Sequence, residues 1–192
     1  MLSPRQSTIG AAMRHIILMS SLVSILFGPP ALAQGWQPHD WLEMSDLCEA
    51  LVFDQDNTAF DGFDPAEPLV RVQGLREMAV THPRASLIAS AVSQDGNWFM
   101  CLVAAMPPLQ LGEASSLIGF WAGIQYNLVK RPGNKAVVFD TPRTFAPVRV
   151  RCGADGQLAV IMAFLNDEGA FRIAVTNRLP SKMEPPCPAP GS

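Results

Sequence analysis

Residue types able to do chemistry are few in this 192-residue chain, and most of them are carboxylates. The densest run is Asp54-Gln55-Asp56-Asn57-Thr58-Ala59-Phe60-Asp61, which sets oxygen donors at alternate positions, as a hard divalent cation requires. It fails as an EF-hand loop. Ala59 stands where the sharp turn needs glycine, and Pro65 stands where a bidentate glutamate belongs. Turn-forming Asp and Asn in an exposed loop are the expected role for this run. Beyond residue 33 the histidines are His39, just ahead of a helix start, and His82, just before Pro83. Both positions suit exposed loop residues. A serine or cysteine nucleophile needs such a base, and no GxSxG, SxxK or HExxH pattern occurs. A paired-carboxylate hydrolase needs only two acids at the right separation in space, and the acidic segment offers several. No residue is assigned as catalytic, and no metal or cofactor is expected.

Cys48, Cys101, Cys152 and Cys187 contain no CxxC and no Cys/His cluster, so disulfides are favoured over zinc. Four cysteines allow three pairings. Cys48–Cys101 with Cys152–Cys187 is preferred, because it gives the C-terminal tail a nearby partner and ties the first helix to the sheet.

Charge is distributed unevenly. Between Gln34 and Val70 there are nine acidic residues and neither lysine nor arginine, whereas from Arg71 onward there are twelve basic and eight acidic ones. No concentrated basic surface is implied, so nucleic acid is not an expected partner. The N-terminal segment carries Arg5, Arg14 and His15 ahead of an apolar run, Ile16 to Gly28, and then Ala31-Leu32-Ala33. That pattern is a signal peptide over residues 1–33 with cleavage before Gln34, Met13 being an alternative start. The apolar run is too short to span a bilayer. The expected location is periplasmic or secreted, with no membrane span after cleavage.

The elements that must position these residues follow from periodicity and turn chemistry. Asp40-Trp41-Leu42-Glu43 has the form of a capping box opening a helix over Asp40–Phe53, with Met44, Leu47, Cys48 and Leu51 on one face. Asp54 to Pro68 reads as a loop, Leu69–Gln73 as a short strand, and Leu75–Thr81 as a helical turn. Ala85–Ser93 and Trp98–Ala105 form a hairpin around Asp95-Gly96. The stretch from Gly112 to Gly133 predicts a central helix, apolar nearly all round and therefore buried. Its Gly119 and Gly123 are expected to allow close approach to the sheet. Ala136–Phe139, Pro147–Cys152, Leu158–Leu165 and Ala170–Thr176 supply further strands, the last three as a meander. Val148, Val150 and Cys152 face one way and Arg149 and Arg151 the other.

The fold expected is α+β: an antiparallel sheet of about five strands with two helices, in one domain over residues 34–179, followed by a proline-rich tail (180–192) tethered through Cys187. Its order of hairpin, helix and three strands is similar to that of profilin-like and PAS-like architectures. That analogy implies an apolar pocket between the sheet and the central helix. Two functions are compatible with this reading. One is an exported, non-catalytic module that binds an envelope protein or a small molecule. The other is a carboxylate-based envelope hydrolase acting on glycan. The favoured binding surface is Trp41 with Asp54, Asp56 and Asp61.

Overall fold

Eight short strand-forming runs and two helices build this architecture. The computed structural model describes residues 35–137, 143–153, 156–179 and Cys187. The signal-peptide expectation and most of the tail lie outside the described residues. In chain order the elements are α1 (Pro38–Phe53), β1 (Asp64–Pro65), β2 (Arg76–Thr81), β3 (Leu87–Gln94), β4 (Asn97–Ala105), α2 (Leu111–Leu128), β5 (Asn134–Val137), β6 (Thr144–Cys152), β7 (Leu158–Leu165) and β8 (Phe171–Thr176). The strands form one antiparallel sheet in the order β1-β2-β3-β4-β8-β7-β6-β5. The α+β mixture is as expected. The sheet is wider, with eight strands in place of about five.

Two four-stranded meanders meet where β4 pairs with β8, and α2 carries the chain from one to the other. The register sets Cys101 opposite Val175 and Val103 opposite Ile173, with Ile161 and Ala163 continuing the same face on β7. All six are buried. α1 packs over β4 and β8 and α2 over β6, so both helices cover this one face and touch each other. Trp41 stands at its centre, edge-on to Trp36 at 5.8 Å and to Phe171 at 5.2 Å between ring centroids. On the opposite face Ala66 and Leu69 cover Ala79, Ile88 and Ala104, while Leu179 and Cys187 cover Val148, Val150 and Val160.

The hairpin turn forms as expected, with Asp95 and Gly96 both at positive φ (52° and 83°), the backbone a two-residue turn of this hand requires. Both disulfides have the preferred pairing, Cys48–Cys101 joining α1 to β4 and Cys152–Cys187 pinning the tail to β6. Two bridges suit an oxidising compartment. No helix among the described residues is long and apolar enough to cross a membrane.

Several expectations need correction. Leu75–Thr81 is not a helical turn: Arg76–Thr81 pairs along its whole length with β3, and Leu69–Gln73 is not a strand. Arg, Glu, Met and Ala favour helix, but six residues cannot sustain one, whereas pairing satisfies their backbone groups at once. α1 begins two residues earlier than Asp40. Pro38, with preset φ and no amide hydrogen, takes the first helical position, and Gln37 is the N-cap, donating its backbone N–H to Asp40 Oδ2 at 2.5 Å. Asp40 thus closes a capping box from the third helical position, leaving Glu43 outside it.

α2 is not a buried helix. Ala114, Leu117, Trp121 and Gln125 are buried, whereas Phe120 and Tyr126 are exposed, and a Cβ added at Gly119 or Gly123 would meet nothing within 4 Å. The glycines face open space and not the sheet, because the helix seats its Leu117–Trp121–Gln125 stripe inward. Beneath it, where the PAS-like analogy implied an apolar pocket, the buried Gln125 meets the buried Arg149 in a polar contact. Finally, β5 runs over Asn134–Val137, two residues ahead of the strand expected at Ala136–Phe139, whose last two residues lie outside the described ones.

Candidate functional site

Strand β6 carries the least expected chemistry. Its register sets Arg149 opposite Ile161 and Arg151 opposite Ala159, which puts both arginines on the helix-covered face and the valines on the other. A guanidinium there requires a partner, since burying an unpaired charge is prohibitive. α1 supplies it. Glu49 accepts from Arg149 Nη2 at 2.5 Å and Nη1 at 3.3 Å, and from Arg151 Nη1 at 2.9 Å. Arg149 also donates from Nε to Gln125 Oε1 of α2 at 2.9 Å and from Nη1 to Asn134 Oδ1 of β5 at 3.3 Å. One planar cation therefore ties α1, α2, β5 and β6 together through the bidentate geometry that arginine provides.

The side chains of Arg149 and Glu49 are only 5% and 11% exposed. Burial pushes the Glu49 carboxyl up, but hydrogen bonds and charge from Arg149 and Arg151 outweigh it and hold it below the ordinary glutamate range. Asp46, one turn earlier, is pushed up by burial and by the Glu49 charge, against an opposing pull from Arg149. Its side chain is solvent-exposed, so the upward push is weak. Two carboxylates pushed apart in this way resemble an acid/base pair. Glu49, however, is sealed and paired with two guanidiniums.

Arg151 continues outward. Its Nη1 lies 3.6 Å from Asp54 Oδ2, and its guanidinium stacks 4.1 Å over the Phe53 ring. Phe53 in turn walls a cleft of about 420 Å³ at the C-terminal end of α1, lined also by Val52, Gln55, Asn97, Gly156, Gln157, Leu158 and Asn177. Gln55 takes a left-handed backbone (φ 55°) just past the helix end. Its carboxamide holds that turn by donating to the Val52 and Trp98 carbonyls at 2.7 and 2.8 Å and accepting from the Trp98 amide at 2.9 Å. Asn177 donates to the Trp98 carbonyl at 3.1 Å. The side chains of Asn97 and Gln157 make no hydrogen bond to another described residue, so their carboxamides are available to a ligand.

The expected binding surface is only partly assembled. Trp41 is excluded from it: at 0% exposure it is core, because the helix face it occupies lies against Phe171. Asp56 accepts from the Thr58 amide and hydroxyl at 2.9 and 2.6 Å, which holds its carboxyl below the usual range; this is a turn interaction. Asp54 directly precedes the cleft's Gln55 and is engaged by Arg151, whereas Asp61 is exposed and does not line the cleft. His39 is exposed, as expected, but His82 is not. Its ring is enclosed beneath α1, facing Asp40 and Glu43. Asn134, Asn97 and Gln157 escaped the sequence reading, which placed Arg149 only on the face opposite Val148 and Val150. The one signal was Gln125, a polar residue four positions after Trp121 on an apolar stripe. No protein-family model, curated protein or solved structure matches this chain.

Proposed function

We propose that this is an exported, disulfide-stabilised protein of the cell envelope that binds a small neutral polar ligand in the cleft at the end of α1 and performs no chemistry on it. One observation carries the reading: among the described residues the cleft is lined by four carboxamides (Gln55, Asn97, Gln157, Asn177) set among Val52, Phe53 and Leu158, and none of these lining residues is ionisable. Carboxamides both donate and accept, and an apolar wall beside them suits a sugar ring or a peptide segment more than an ion. Among the described residues no carboxylate lines the cleft, and Glu49 is held in its ion pairs.

Titration of the ¹⁵N-labelled protein with N-acetylglucosamine oligomers and with short unstructured peptides tests this. The expected result is saturable shifts centred on Phe53, Asn97 and Gln157. Gln157→Ala is expected to weaken binding roughly fivefold, the equivalent of one neutral hydrogen bond. Saccharide turnover lost in Asp46→Asn would replace the reading with the hydrolase. No saturable binding by either class of probe would sink it.

A further inference from the structure

At the other end of α1, Asp40, Glu43 and His82 each bring one ligand-type atom to within 4.8 Å of the others. Two carboxylates near a helix start are unremarkable in themselves. The third group is different: the His82 side chain is 0% exposed, and its Nε2 has no hydrogen-bond partner. A buried imidazole nitrogen without a partner is costly. This one lies 3.4 Å from Glu43 Oε2 and 4.0 Å from Asp40 Oδ1. Ligands about 2.0–2.2 Å from a tetrahedral zinc are separated from one another by roughly 3.4 Å, so the three atoms need little movement to share an ion.

We propose that Asp40, Glu43 and His82 form a site for a Zn²⁺-class divalent cation, with His39 as fourth ligand. His39 Nε2 lies 3.3 Å from Asp40 Oδ1, on a side chain that is exposed and free to turn. Two imidazoles and two carboxylates select a borderline metal over calcium or magnesium, which want oxygen alone. The outer contacts support the geometry. Asp40 Oδ2 is held by the Gln37 amide, which fixes the carboxylate with Oδ1 toward the site. The α1 dipole presents its positive end here and opposes a cation, so the two carboxylate charges are essential. Glu43, 39% exposed, and His39 leave a way in from solvent.

Loading must also displace two existing contacts. The Arg84 amide donates to His82 Nδ1 at 3.1 Å, so in the metal-free protein the ring proton sits on Nε2. Binding moves that proton to Nδ1, with no net proton release from the ring, and the Arg84 amide gives up its acceptor. The Arg84 guanidinium, 3.2 Å from Glu43 Oε2, is the resident cation that the metal replaces.

The site lies roughly 20 Å along α1 from the cleft, so it stands or falls independently of the ligand proposed there. The test is titration of EDTA-stripped, desalted full-chain protein with Co²⁺ followed by visible absorption, then displacement by Zn²⁺. One equivalent is expected to bind with the ligand-field bands of a tetrahedral site, and the Arg84 amide and His82 ring nitrogens are expected to shift in ¹⁵N spectra. Glu43→Gln and His82→Gln should each weaken binding by about tenfold to a hundredfold or more. Asp61→Asn should leave it unchanged, and Arg84→Ala should tighten it roughly twofold to fivefold by removing the competing ion pair. Should His82→Gln fail to fold, Glu43→Gln, at a half-exposed position, decides alone. Absence of stoichiometric binding, or binding undiminished by Glu43→Gln, overturns the site.

Discussion

Arg149→Met is expected to lower the unfolding free energy by about 3–5 kcal/mol in urea titrations followed by tryptophan fluorescence. The loss comes from what is left behind. Without the guanidinium, Glu49 remains enclosed beneath α1, and the Gln125 and Asn134 side-chain oxygens lose their donor. Arg151 still reaches Glu49 at 2.9 Å, which places the result toward the lower end of that range. Pairing the change with Glu49→Leu should recover much of the loss, since replacing both partners of a buried ion pair with apolar side chains is often neutral. A single-variant loss below about 1 kcal/mol would mean that water relaxes the pair and that the tie among helices and sheet is weak.

The same carboxylate gives the protein an acid limb. Glu49 is held below its ordinary value of 4.5 in the folded state. Below that value the unfolded chain therefore binds the proton first. The stabilisation is fully present above pH 4.5 and is lost as pH falls through the lower folded value. Asp46 runs the other way, because its raised value means that the folded protein takes up that proton first; its exposure keeps the offset small. Stability measured against pH should thus fall on acidification more steeply in the native protein than in Glu49→Gln. Parallel curves would remove Glu49 as the cause.

Trp41→Ala is expected to cost about 3–5 kcal/mol, the range for emptying a fully buried aromatic site. Its ring touches Trp36 and Phe171 edge-on, so the cavity would open where α1 crosses β8, between walls that cannot collapse without moving a helix. Trp41→Phe is the informative companion. The Trp41 indole nitrogen is buried and has no hydrogen-bond partner, and an orphaned donor costs about 1–3 kcal/mol. Phenylalanine removes that donor while keeping most of the apolar contact, so the net change should stay within about 1.5 kcal/mol. A loss in Trp41→Phe as large as in Trp41→Ala would show that the indole nitrogen is satisfied after all. Chemical unfolding curves of the two variants settle the comparison.

Much of the frame was legible along the chain. Leu158–Leu165 is a strand with the predicted bounds, Phe171, Ile173 and Val175 turn inward, and Asp95-Gly96 makes its hairpin. These are local statements: a side-chain period of two, or a pair of residues tolerant of positive φ, needs no knowledge of the rest of the molecule. The disulfide pairing was a preference among three, resting on the tail's need for a nearby partner and on a tie between the first helix and the sheet, and the structure has that pairing.

Everything that required knowing what lies opposite was decided by the tertiary structure. The alternation in Pro147–Cys152 separates arginines from valines but does not say which set meets the helices; Glu49, a hundred positions away, decides it. The acidic segment Gln34–Val70 contains no lysine or arginine of its own. Four of its members pair with arginines: Glu43 with Arg84, Glu49 with Arg149 and Arg151, Asp54 with Arg151, and Glu67 with Arg71. Arg76–Thr81 became a strand because β3 offered a partner, and His82, at the turn after it, was carried beneath α1. By itself the sequence determined the periods and the turns, because neighbouring residues suffice to specify them, while the cysteine pairing was only a preference among three until the fold brought the partners together. Which face is buried, which charges meet and where a histidine points came only with the fold, because those depend on residues brought together from distant parts of the chain.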